Sequence, residues 1–189
     1  MFASWSTEET PSGHGPARGG TIVVSTEAQA FETVVANLDG PAYVVTTAAG
    51  DERDGCLVGF ASQCSIKPGR FAVWLSKENR TYRIAQSAAT LVVHLLRQGD
   101  QDLAHLFGGE TGDEVDKLED VDWRPGPDGC PVLPRCDWFG GTIAERVDTG
   151  DHVGFVLDPH GGVCERSGTR QLGMQEIGDI EAGHPIPES

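Results

Sequence analysis

The sequence predicts a mainly β domain, a small barrel carrying a few helices, and three observations lead there. Short runs rich in β-branched and aromatic residues recur at close spacing, bounded each time by Gly, Pro, Asp or Asn: AYVVTTA at 42–48, FAVWLS at 71–76 and TLVVHLL at 90–96. Strict alternation of strands and helices is missing, which sets aside a doubly wound nucleotide fold. Neither GxGxxG nor GxxxxGKS/T occurs, so the two commonest phosphate loops are absent from the sequence. A chain of 189 residues is long enough for one domain with a real core, and 25 glycines with 38% hydrophobic content point to many turns and loosely structured ends.

Residues 1–20, rich in Ser, Thr, Gly and Pro without hydrophobic period, read as a mobile tail. Thr26 with Gln29 reads as a capping box, and Phe31, Val34, Val35 and Leu38 fall on one face of an amphipathic helix that ends at Asp39-Gly40-Pro41. The strand at 42–48, the turn at 50–55 and the run at 56–60 make a hairpin. Pro68-Gly69 leads into a buried strand at 71–76, residues 81–88 suit a short helix, and 90–96 is a strand with apolar residues on both faces. His94 in that strand reads as a core or interface histidine. Residues 101–107 are helical, and 110–122 form an acidic connector with an exposed tip. Four prolines and two glycines in 123–134 leave little room for regular structure, although Val132 and Leu133 can dock on a core. A second hairpin joins 136–147 to 152–157 through Thr149-Gly150-Asp151, and from Gly161 on the chain is polar without clear period. The expected layout is a tail at 1–20, one domain at 21–165 and a polar extension at 166–189.

Charge is unevenly spread. The whole chain carries −15, yet residues 55–99 hold Lys67, Arg70, Lys77, Arg80, Arg83 and Arg97 against Glu78 alone, +5 within the window and −20 outside it. A compact cationic patch on an acidic protein suits a small, strongly charged anion. The same residues also suit a basic face that pairs with acids elsewhere in the fold. A pI near 4.6 argues against nucleic acid and anionic membrane as main partners. No apolar run reaches bilayer-spanning length, and MFASWSTEETPSG lacks the blocks of a signal peptide, so a cytoplasmic protein is expected. Five cysteines without a CxxC pair indicate neither a disulfide framework nor a zinc site, and they read as reduced, mostly buried residues.

Several short segments, taken in order, resemble the flavin reductase-like proteins on the FMN-binding split-barrel fold. They are AYVVTT followed by a turn and Asp54-Gly55; Ala61-Ser62-Gln63-Cys64-Ser65-Ile66-Lys67-Pro68; Asn79-Arg80-Thr81; Gln101-Asp102-Leu103-Ala104 with Phe107; Pro131-Val132-Leu133; and Gly150-Asp151-His152. The resemblance spans 41–157 and implies a Greek-key split barrel, a homodimer with flavin near the subunit interface, and reduction of FMN, or of FAD, by NADH or NADPH. It also implies a possible monooxygenase partner that receives reduced flavin. Carried over residue by residue, Gly59, Phe60, Ala61, Ser62, Gln63, Cys64 and Ser65 would lie along the flavin ring and ribityl chain. Lys77, Asn79, Arg80 and Thr81 would take the phosphate, and His152, the candidate catalytic residue, would meet the nicotinamide nucleotide or the flavin edge. Hydroxyls, loop N–H groups and a guanidinium fork are the donors a dianionic phosphate needs. Ser62 and Ser65 equally suit a tight turn, Asn79 a cap on the following helix, Lys77 and Arg80 solvated loop charges, and His152 a surface position. A flavin-binding electron carrier without nicotinamide turnover, or a split barrel holding haem or a deazaflavin, remains open on the same residues.

Overall fold

The computed structural model describes residues 27–166, 168–180 and 183. The tail expected at 1–20 and the capping residue Thr26 lie outside these. Helix α1 (Glu27–Val35) belongs to a unit separate from the sheet; Phe31 and Val34 on it and Leu38 just after it are exposed, so the helix stops short of the Asp39 end that the sequence leads one to expect. The remainder, from Gly40 on, carries the sheet.

That sheet is seven-stranded and antiparallel. Its strands are β1 (Tyr43–Ala49), β2 (Glu52–Val58), β3 (Ala61–Ile66), β4 (Gly69–Ser76), β5 (Thr90–Leu95), β8 (Asp137–Asp148) and β9 (His152–Val163), in the order β2-β1-β5-β8-β9-β4-β3. Helices α2 (Arg80–Ala85) and α3 (Gln101–Gly109) flank it, and β6 (Arg124–Pro125) pairs with β7 (Pro131–Val132) as a two-residue ladder. The edge strands β2 and β3 are joined by Gly59 and Phe60 alone, and three Cα steps reach at most about 11 Å. The sheet must therefore curl until its two edges nearly meet, leaving a seam beside that link. This is the split barrel that the sequence leads one to expect.

Both faces of the central strands are covered, which is why they read as unbroken apolar runs. Val45, Cys56, Val73, Leu75, Leu91, Val93, Phe155 and Leu157 fill the barrel. On its outer side Val44 and Leu96 pack with Leu103 and Phe107 of α3, Leu118 and Leu133. His94 is buried on that outer side. Its Nε2 accepts from the Leu133 N–H at 3.1 Å, so its Nδ1 carries the proton and donates to the Val44 carbonyl at 3.0 Å. Burial pushes the ring pKa down to about 4.

The structure departs from the sequence reading at four places. The first hairpin turns at Gly50-Asp51 rather than over 50–55, because Gly50 accepts a φ of +60° and lets the strands pair immediately outside it. The polar run ASQCSI is a strand, β3, laid along β4 as a sheet edge with its side chains mostly outward. β9 continues through Pro159, which sits beyond the last β4 pairing at Leu157 and so needs no second ladder partner. The polar segment after Gly161 contributes Leu172, Met174 and Ile177 to the outer core, and Leu172 is 0% exposed. Hydrogen bonds from Arg97 to the Thr169 carbonyl and from the Glu165 and Arg166 N–H groups to Asp137 guide it there. As expected, Val132 and Leu133 are buried. The acidic connector is exposed at Asp113, Glu114, Glu119 and Asp120 but buries Lys117 and Leu118 between them. Among the described residues no helix is long and apolar enough to cross a membrane.

Candidate functional site

The C-terminal end of β4 is where the predicted residues converge. Phe60, in the seam link, accepts a backbone hydrogen bond from Trp74, and His152, the first residue of β9, stands opposite Ser76 in the register. Phe60 and His152 thus flank β4 from either side, on the face turned away from the barrel interior, and their rings meet edge to face at 5.3 Å. Phe60 is 41% exposed. The Asp151 carboxylate lies 2.9 Å from His152 Nδ1, which fixes that nitrogen as the donor and leaves Nε2 for a ligand. The His152 ring in turn holds the Asp151 carboxyl below its usual range.

Immediately after β4 come Lys77, Asn79 and Arg80. The Lys77 N–H donates to the Asp151 carbonyl, so the β8–β9 turn and the start of α2 are tied together. Lys77 Nζ pairs with Asp148 at 2.9 Å and holds that carboxyl below its usual range. Arg80 donates to the Gly112 carbonyl at 3.3 Å and reaches Glu52 at 3.6 Å. Asn79 occupies the N-cap position of α2, yet its side chain makes no cap bond and has no hydrogen-bond partner among the described residues. It is a half-buried amide, with Lys77 shortly before it in the sequence and Arg80 directly after.

The cationic window of the sequence is therefore largely neutralised by acids from outside it. Arg70 pairs with Asp158 and Glu145, Lys77 with Asp148, Arg80 with Glu52, Arg83 with Asp113 and Arg97 with Asp137. The basic face that pairs with acids elsewhere is what these five cations form. Only the Arg97–Asp137 pair is well buried, and the others are exposed enough to exchange partners at a cost of about 0–1 kcal/mol each.

The other predicted residues are distributed along β3. Ala61 faces the barrel core, Ser62 is exposed with its hydroxyl donating to the Gln63 carbonyl, and Cys64 is exposed. Gln63 lines a hollow of about 240 Å³ with Arg70, Phe71, Phe139 and Pro159. Ser65 pairs with Arg70, six residues before Ser76 and so roughly 20 Å down the strand. Thr81 is fully buried and its hydroxyl donates to Asp54 at 2.9 Å. The structure thus gathers Gly59, Phe60, His152 and Lys77 at one end of β4, with Asn79 and Arg80 following in the chain and the Arg80 guanidinium turned to Glu52 and Gly112; it places Ser62 next along the strand and sets Ser65 and Thr81 apart. A larger hollow, of about 450 Å³, opens at the far end of β9 between Tyr43, Phe71, Trp138, Phe139 and Val163. Sequence reasoning missed Trp74 and Asp148 at the site. Trp74 is visible in the sequence only as a large aromatic within the apolar β4 run, and nothing local marks Asp148.

Residues 35–174 match the family model of the flavin reductase like domain. The chain is 28% identical over 139 residues to a probable flavin reductase of Rhizobium meliloti, covering 71% of this chain and 43% of that protein. It is 27% identical over 128 residues to the FMN reductase (NADH) RutF of Klebsiella pneumoniae, covering 67% of this chain and 77% of RutF. The crystal structure of a flavin reductase domain protein from Arthrobacter sp. FB24 superposes with a TM-score of 0.71 at 19% identity, over 86% of this chain and 98% of that one. The chain spans about half or less of the length of several of the curated relatives it matches.

Proposed function

The chain belongs to the flavin reductase like domain family, and from that premise we propose that it is an NAD(P)H:flavin oxidoreductase whose flavin, FMN in the first instance, binds at the barrel seam. The observation that carries this reading is the meeting of the Phe60 and His152 rings across β4, with Lys77 tied to Asp151 beside them and Asn79 and Arg80 following at the start of α2. An aromatic wall next to an amide and two cations is the donor set that a planar ring with a phosphate tail requires, so the residues present fit the group.

Flavin, when bound, supplies the ring that accepts hydride from the nicotinamide, and no protein nucleophile is needed. Phe60 and His152 would cover one side of the flavin ring. The Asn79 amide, which has no side-chain partner among the described residues, would donate to the phosphate, and Lys77 and Arg80 would hold it in place of Asp148 and Glu52. The exposed ion pairs given up are worth about 0–1 kcal/mol each, and a phosphate dianion offers two negative charges to the two cations. His152 presents Nε2 to the nicotinamide or the flavin edge, oriented by Asp151. The site lies on an outer face rather than in an enclosed cavity, which suits release of reduced flavin to a partner monooxygenase. β3 is a sheet edge with Ile66 81% exposed, and a second copy of the chain covering that edge would make a homodimer with the flavin near the interface.

The test is steady-state oxidation of NADH and of NADPH by the purified protein at increasing FMN and FAD. Turnover that saturates with flavin is expected. No turnover with either nucleotide at any flavin concentration refutes the proposal, and a protein that binds flavin yet ignores nicotinamides would be a carrier instead.

A further inference from the structure

Below the start of α2 lies a buried polar junction that the proposed chemistry does not use. Asp54, in the middle of β2, and Lys117, the single cation of the acidic connector, pair at 3.4 Å with side chains 4% and 3% exposed. The other carboxylate oxygen of Asp54 accepts from the Thr81 hydroxyl at 2.9 Å. Lys117 Nζ also donates to the Glu110 carbonyl at 3.4 Å and lies 6.0 Å from the centre of the Phe107 ring. The junction is tightly closed: a Cβ on Gly112 would sit 2.4 Å from an Asp54 oxygen.

A buried ion pair is weak as a source of stability, because desolvation of both charges offsets their attraction. What this one does is geometric. It joins three segments distant in sequence, β2, the first turn of α2 and the connector. Arg80 and Arg83 fasten the same turn to the same connector, through the Gly112 carbonyl and Asp113. Thr81 directly follows Asn79 and Arg80, so holding its hydroxyl fixes the backbone from which the Asn79 amide, unpartnered among the described residues, and the Arg80 guanidinium project.

Resting on the flavin reading above, we propose that Asp54, neutralised by Lys117, is the positioning residue of the phosphate end of the site, acting through Thr81 on Asn79 and Arg80. Thr81 serves Asp54 and not the phosphate. The device works on the phosphate end alone, since Phe60 and His152 are held by β3, β4 and β9.

Riboflavin and FMN share a ring and differ by the phosphate, so their dissociation constants separate the two ends. Asp54→Asn combined with Lys117→Met removes both charges together and leaves no lone buried ion. Thr81→Val removes only the hydroxyl. Each is expected to raise the FMN dissociation constant about tenfold while riboflavin changes less than about twofold, and Thr81→Ser should restore wild-type FMN binding. All three substitutions together should bind FMN no more weakly than either set alone, because they cut one network. FMN binding unchanged in both variants, equal losses for FMN and riboflavin, or losses that add would each overturn the proposal. If the wild-type protein binds neither flavin, the flavin reading itself fails and this proposal with it.

Discussion

Acidification is expected to destabilise the protein through His94. The ring is fully buried and held neutral between a carbonyl acceptor and an N–H donor, and its pKa in the fold is about 4 against 6.5 when unfolded. A folded value below the unfolded one means that the unfolded chain binds the proton more readily. The stabilising contribution is therefore complete above about pH 6.5 and is lost as pH falls towards about 4. The full difference of 2.5 pKa units corresponds to about 3.4 kcal/mol, of which about 2 kcal/mol is lost between about pH 8 and about pH 5. For a chain of this size that is a fall in Tm of roughly 4–8 °C. Other groups titrate in the same interval, so the measurement is a comparison of urea midpoints against pH for wild type and His94→Gln, which keeps a donor and an acceptor but has no proton to gain. The variant should be weaker near neutrality and flatter across the interval. Parallel profiles for the two proteins would refute the reasoning.

Leu172→Ala should cost about 2–5 kcal/mol by urea denaturation, since the side chain is fully enclosed, and a cost below about 0.5 kcal/mol would deny the C-terminal segment its place in the core. Asp148→Asn frees Lys77 from its exposed ion pair and should tighten FMN about two- to fivefold in a fluorescence titration, and weaker binding would show that Lys77 does not face the phosphate. Phe60→Ala should weaken FMN and riboflavin alike by roughly three- to tenfold, and wild-type binding of both would move the ring away from the seam.

What the sequence made legible is whatever local chemistry determines. The β-branched runs at 43–49, 71–76 and 90–95 are strands because side chains of that shape are favoured on a pleated surface covered from both sides. The cationic window was visible too, but the neutralisation of Arg70, Lys77 and Arg80 by Asp158, Asp148 and Glu52 depends on strand register, which no local pattern records. β3 was hidden because an edge strand facing outward needs no hydrophobic period, and ASQCSI has none. Leu172, Met174 and Ile177 were hidden as three apolar residues in a polar stretch, guided into place by charges on other segments. Lys117 carried one faint signal, its isolation among seven acids, whereas the role of Asp54 emerges only once β2, α2 and the connector are brought together.

The most direct test of the central claim is to load the protein with FMN, exclude oxygen, and follow the visible flavin band after mixing with NADH and, separately, with NADPH. At least one nucleotide is expected to bleach the band far faster than it does with free FMN, and Phe60→Ala to slow the bleaching. A band that persists with both nucleotides on a fully loaded protein would contradict the claim.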